Sequence, residues 1–269
     1  MSASADLTDA AGTVHGAAGT AARIVCLVPS ITELLCELGL TGQLVGRTGF
    51  CIHPREALRA IAKVGGTKDV DLTKVRALRP THVIVNVDEN RKETVAELAE
   101  FVPHIVVTHP LRPSDNLPLY RLMGGLFARE EEAEHLCGRY TEVDAKIASP
   151  EQRSPRRVLY LIWREPWMTV TRETYIAQTL ARFNWHTVPA QSPQRYPEIA
   201  LEDYVGAVDC VLLSTEPFPF KARHVAEIQA RMGVGVRLID GEMTSWYGSR
   251  AIEGLRYLDA FTRTAAVAA

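Results

Sequence analysis

Short apolar runs recur along this chain, and each is followed by an amphipathic stretch with helical spacing. RIVCLVPS (23–30), QLVGRT (43–48), THVIVN (81–86) and HIVVTH (104–109) form a first set. RVLYLIW (157–163), DCVLLS (209–214) and GVRLID (235–240) form a second. Unbroken Val/Ile/Leu runs are what strands covered on both faces show, and their alternation with helices builds parallel sheets. The predicted helices are ITELLCELGL, DLTKVRAL, ENRKETVAELAEF, ETYIAQTLARF, LEDYVGAV and KARHVAEIQARM, with a last one from Ser249 to Thr264. Ser30 with Glu33 predicts a capping box at the start of the first helix.

Between Pro113 and Ala148 the alternation stops, and apolar residues keep helical spacing throughout, with a weak point at Gly124-Gly125. SPEQRSPRR then breaks the chain before the second set begins. The two sets echo each other: THVIVNVDENRKETVAEL and DCVLLSTEPFPFKARHVAEI share the order strand, acid (Glu89, Glu216), base, then Val-Ala-Glu-Leu or Val-Ala-Glu-Ile. The organisation read from this is a disordered leader (1–22), an N-terminal α/β lobe (23–112), one long connecting helix (113–149) and a C-terminal α/β lobe (156–269).

Bulk composition narrows the function classes. A net charge of −2 gives no electrostatic reason for binding nucleic acid or an anionic membrane surface. No apolar run approaches the roughly 18 residues of a membrane span, so no membrane insertion is expected. Five cysteines, an odd number and widely spaced, read as free thiols rather than a disulfide framework. The Ala/Gly/Ser/Thr-rich N-terminus shows neither a basic n-region nor an apolar core. Together these features predict a cytoplasmic protein, or a periplasmic one if the natural start lies elsewhere.

RIVCLVPSITELLCELGL, VGGTKDVDLTKVRALRPTHVIVN and the tail VRLIDGEMTSWYGSR resemble the class III substrate-binding proteins. These are the cobalamin and ferric-siderophore receptors of ABC importers, also called helical-backbone metal receptors. The resemblance covers about residues 23 to 262. It implies α/β architecture: two Rossmann-like lobes with parallel sheets, joined by one long backbone helix and facing each other across a cleft. It also implies a permease partner that reads one exposed glutamate on each lobe. Glu202 stands at that place on the second lobe, whereas the first has Thr73 with Lys74 beside it. Docking on an importer permease through paired acids is therefore not expected.

In an open parallel sheet, ligands sit beyond the carboxyl ends of the strands. That rule selects Arg47, Phe50 and His53 after the second run, and Glu89 and Asn90 after the third. In the second half it selects Trp163, Arg164, Glu165 and Trp167, then Glu216 and Phe218, then Trp246, Tyr247 and Arg250. Three of the four tryptophans fall on this rim, which suits a flat, partly apolar ligand. The bland alternatives are core aromatics, helix-capping acids and structural ion pairs.

The loop GFCIHP (49–54) places Cys51 and His53 two positions apart. It lacks the second ligand pair of a zinc site and the third group of a Cys–His catalyst. His53 and Cys51 are retained as candidate metal ligands, His53 the better one because imidazole suits cobalt and iron. No phosphate-cradling loop, nucleophile elbow or H-E-x-x-H motif occurs, so no enzyme is expected. The function predicted is capture of a metal chelate, a corrinoid first and a ferric siderophore or haem-like complex second. Such a chelate would be a ligand, with no tightly bound cofactor. The alternative is a cytoplasmic metalloprotein or enzyme on the same fold, holding a bare ion through His53, Cys51 and rim carboxylates such as Glu89, Glu165, Glu216 and Glu242.

Overall fold

Every strand pair in both sheets is parallel, as the unbroken apolar runs predict. The computed structural model describes residues 7–264, which divide into two units. Unit 1 holds residues through Pro110, Asp115–Tyr140 and Tyr247–Ser249; unit 2 holds Leu111–Ser114, Thr141–Trp246 and the chain from Arg250.

Unit 1 is built on β1 (Ile24–Cys26), β2 (Leu44–Arg47), β3 (Ala62–Lys63), β4 (His82–Asn86) and β5 (His104–Thr108), in spatial order β3-β2-β1-β4-β5. Its helices are α1 (Pro29–Glu37), α2 (Leu72–Leu78), α3 (Lys92–Ala99) and α4 (Asn116–Leu126). Val25, Val83 and Val85 from the strands, with Leu27 just after β1, pack with Val75 of α2 and Leu98 of α3. In unit 2, β6 (Arg156–Leu161), β7 (Trp185–Thr187), β8 (Cys210–Ser214) and β9 (Gly235–Ile239) lie in order β7-β6-β8-β9. They carry α6 (Tyr175–Ala181), α7 (Ala222–Met232), α8 (Gly241–Ser245) and α9 (Arg250–Thr264). Both orders reverse direction once, between β1 and β4 and between β6 and β8. These are the switch points at which an open parallel sheet leaves a crevice.

Several expectations are corrected. The predicted single helix is two, α4 and α5 (Glu130–Lys146), because Ala128 turns into the left-handed region at φ +55°. The Arg129 amide closes that turn onto the Gly124 carbonyl at 2.8 Å. Gly124 is needed there, since a Cβ would stand 2.6 Å from Ala133 Cβ and 2.7 Å from the Arg129 carbonyl oxygen. Glu130, Glu131 and Glu132 then complement the amino end of the new helix. The boundary between units falls inside α5, after Tyr140.

From Leu7 onward the expected leader is ordered, while residues 1–6 lie outside the described part. Thr8 bridges Val14, the Ala10 amide donates to the Val107 carbonyl, and Asp9 accepts from the Val107 amide at 2.9 Å. These bonds satisfy part of the open edge of β5. LEDYVGAV makes only a 3-10 turn (Leu201–Tyr204), because Val205 is extended and Gly206 sits at φ +76°. Helix α1 begins at Pro29 with Val28 as its cap, so Ser30 is not the capping residue. Strands β3 and β7 and helix α8 are too short to announce themselves by periodicity.

Candidate functional site

The carboxyl end of β2 delivers Arg47 into the loop GFCIHP. Arg47 is 7% exposed, and its guanidinium is committed to backbone: Nε donates to the Leu58 carbonyl and Nη1 to the carbonyls of Thr48 and Cys51. It thereby shapes the loop. Phe50 is thrown outward at 62% exposure, with Ile52 exposed beside it and His53 half-buried. Cys51 turns inward and is fully buried; Thr32 donates to its sulfur at 3.1 Å and Thr48 Oγ1 lies 3.2 Å away. Burial pushes the Cys51 thiol up despite these bonds. A pocket of about 500 Å³ opens beside this loop, lined by Arg47, His53, Arg55, Leu58 and Lys63 among others.

At the end of β4 the strand-end rule separates neighbours. Asn90 is buried; its Oδ1 accepts from the Asn86 amide at 2.8 Å, and its Nδ2 donates to the Thr67 carbonyl at 3.0 Å. It is a staple of the turn. Glu89 accepts a 2.5 Å bond from the Tyr247 hydroxyl, and Tyr247 itself is buried. Val87, exposed directly after the strand, is a rim residue that the sequence reading missed; its position one residue past β4 was the available signal.

In unit 2 the aromatic residues divide by burial. Trp163, at the end of β6, is 40% exposed and meets Phe218 edge to face at 5.7 Å. Trp167 stacks on Phe220 with 5° between the ring planes, and the guanidiniums of Arg164 and Arg231 lie over it. It packs against the core of β6 and β8. Arg164 forks onto Glu227 at 2.9 and 3.1 Å and lies 3.2 Å from Glu165. Glu165 reaches solvent from a left-handed backbone at φ +63°, a strained conformation for a non-glycine residue.

Beyond β8, Glu216 accepts two 2.8 Å hydrogen bonds, from Ser245 Oγ and from Trp246 Nε1. Burial raises its carboxyl above the usual range, helped by the nearby negative charges of Glu242 and Asp240 and opposed by the two hydrogen bonds. Gly241 makes room for it, since any Cβ there would overlap the Glu216 side chain. Arg250 pairs with Glu242 at 3.0 Å and covers the Trp246 ring. Ser245 and Gly241 were not legible in the sequence as parts of this cluster.

No group of three or more His, Cys, Asp or Glu side chains able to hold a metal ion occurs among the described residues.

Comparison with known proteins agrees with this architecture. The vitamin B12-binding protein of Photorhabdus laumondii is 21% identical over 184 residues, 67% of this chain; the chain spans 66% of that relative's length. The periplasmic vitamin B12 binding protein of Vibrio cholerae superposes with a TM-score of 0.77 at 16% identity, covering 92% of this chain and 98% of that one. The apo periplasmic heme-binding protein of Roseiflexus sp. RS-1 superposes at 0.74 with 20% identity, covering 91% and 99%. The matching family is one of periplasmic binding proteins, which contradicts the expectation of a cytoplasmic location and does not support the enzyme alternative. The periplasmic binding protein family model matches residues 24–205, well over half of the sequence, and the chain belongs to that family.

Proposed function

We propose that this protein binds a metal chelate, a corrinoid first and a haem-like or ferric-siderophore complex second. The observation that carries the proposal is the Trp163–Phe218 pair at the switch point of the unit 2 sheet, an exposed edge-to-face platform for a flat, largely apolar ligand. Relatives that bind vitamin B12 or heme by name support the ligand class. The rim arginines of unit 2 are already neutralised, Arg164 by Glu227 and Arg250 by Glu242, which suits an amide-edged ligand better than a polyanionic one. Phe50 and His53 in unit 1, and Trp163, Glu165 and Phe218 in unit 2, are the strand-end residues assigned to ligand contact. Asn90, Arg164, Trp167, Glu216, Trp246, Tyr247 and Arg250 are held by hydrogen bonds, ion pairs or ring contacts within their own units.

Titrating the protein with cyanocobalamin, haemin and a ferric siderophore while following tryptophan fluorescence tests the proposal. Saturable quenching by one of them is expected, and a folded protein quenched by none would sink the ligand class. No helix among the described residues is long and apolar enough to cross a membrane. A permease reading an exposed acid on each unit would meet Glu202, already held by Arg231, and on unit 1 Lys74, held by Asp71. Docking through paired acids is therefore not part of the proposed function.

A further inference from the structure

Arg47 is a buried cation with no counter-ion among the described residues. Its side chain makes no ion pair with any described residue, and its three hydrogen bonds go to neutral carbonyls through Nε and Nη1, with none from Nη2 to a described residue. The adjacent sulfur of Cys51 does not compensate it, because burial keeps that thiol protonated. Burying a charge is costly unless hydrogen bonds and an opposite charge meet it, so a guanidinium held by carbonyls alone favours an anion beside it.

The surroundings have the same sign. The pocket of about 500 Å³ that Arg47 lines also carries Arg55, Lys63 and His53, and no carboxylate stands among its lining residues. Arg55 and Lys63 are exposed and make no ion pair with a described residue, so their charge is directed at solvent. The apolar part of the wall, Ile52 and Leu58, lowers the local dielectric and strengthens whatever charge-assisted hydrogen bond forms there. The backbone carbonyls that clamp Nε and Nη1 hold the fork rigid, so little entropy is lost when Nη2 engages an oxygen.

We propose that this pocket is an oxyanion subsite, taking a phosphate or carboxylate group against Arg47 Nη2, Arg55 and Lys63. The group is either an acidic arm of the bound chelate, in which case the subsite rests on the function proposed above, or a free anion. Corrinoids with a nucleotide loop carry one phosphodiester among neutral amides. One such charge matches a single positive pocket in unit 1.

The test begins with inorganic phosphate alone, which does not depend on any chelate. Phosphate titrated into isotope-labelled protein, at ionic strength fixed with chloride, should shift the Arg47 Nε signal and the amides of residues 49–53. The variant R55Q/K63Q changes only exposed side chains; it should weaken phosphate binding at least about tenfold, the scale of one lost charge-assisted bond. Circular dichroism should show its fold intact. No phosphate-specific shift, or equal affinity in the variant, would overturn the subsite. A second arm compares cyanocobalamin with dicyanocobinamide, which lacks the phosphodiester. A preference for cyanocobalamin that R55Q/K63Q abolishes assigns the subsite to the chelate's arm. Phosphate binding without that preference assigns it to a free anion. Failure of both corrinoids to bind counts against the chelate reading and leaves the phosphate result to decide the subsite.

Discussion

The indole Nε1 of Trp246 donates a 2.8 Å hydrogen bond to Oε1 of Glu216, thirty residues earlier in the chain, and Ser245 donates to the same oxygen. A carboxylate at the end of β8 thus fastens the turn that follows α8, within unit 2. Its local burial makes the ionised form costly even though both donors favour it.

Replacing Glu216 by Gln keeps an acceptor for both donors and removes the charge. Because the folded-state pKa lies above the ordinary 4.5, the wild-type protein loses stability as pH rises through the folded value. E216Q is therefore expected to match the wild type below about pH 4.5 and to exceed it at neutral pH, read from urea midpoints. A pH-independent difference would refute this. Glu216→Ala strands both donors and should cost about 1–3 kcal/mol at low pH, and less at neutral pH because it also removes the buried charge.

His82 gives a pH dependence of the opposite sign. It is buried at the start of β4, stacked on His104 at 4.6 Å and edge-on to Phe127. Burial, then the neighbouring charges of His104 and His15, lower its pKa from 6.5 to about 4. The unfolded chain binds the proton first, so stability should fall as pH drops from 6.5 towards 4 and stay flat above. His82→Gln should flatten that limb of the pH–stability profile; an unchanged slope would assign it to other groups.

Loop GFCIHP supplies a paired test. His53→Ala should weaken chelate binding by at least about 1 kcal/mol, whereas Cys51→Ala should leave affinity unchanged because the thiol faces Thr32 and Thr48 inside the fold. Calorimetry on both variants decides it: loss with Cys51→Ala alone would reverse the assignment.

Trp163→Ala removes the exposed half of the aromatic platform. Affinity for the quenching chelate should drop about three- to tenfold, the range of one aromatic contact, with most of the quenching amplitude. Full quenching in the variant would move the ligand away from β6.

Gly124→Ala should destabilise unit 1 by about 1–3 kcal/mol, since the added methyl meets Ala133 and the Arg129 carbonyl where α4 turns into α5. Thermal unfolding of the intact protein would show it. An unshifted midpoint would mean the turn relaxes freely.

The parallel sheets and the alternation of strands with helices were legible because they rest on local signals. RIVCLVPS, THVIVN and DCVLLS are apolar throughout, and the acids, glycines and prolines between them punctuate at helix ends. The helix through 113–149 was over-read for the same reason: periodicity does not sense that Ala128 must adopt a positive φ. The strand-end rule selected residues that lie just past β2, β4, β6 and β8. Roles within that neighbourhood were not legible. Arg47 and Phe50 are three residues apart, yet one is sealed against carbonyls and the other stands in solvent. Trp163 is exposed while Trp246 is buried against Glu216, and no feature of either residue's immediate neighbours separates them. Sequence determined which backbone stretches become strands, helices and turns, because those preferences act between residues a few positions apart. Tertiary structure decided which rim side chains remain for a ligand, because burial and hydrogen-bond partners are set by contacts such as Tyr247 to Glu89, 158 positions away along the chain.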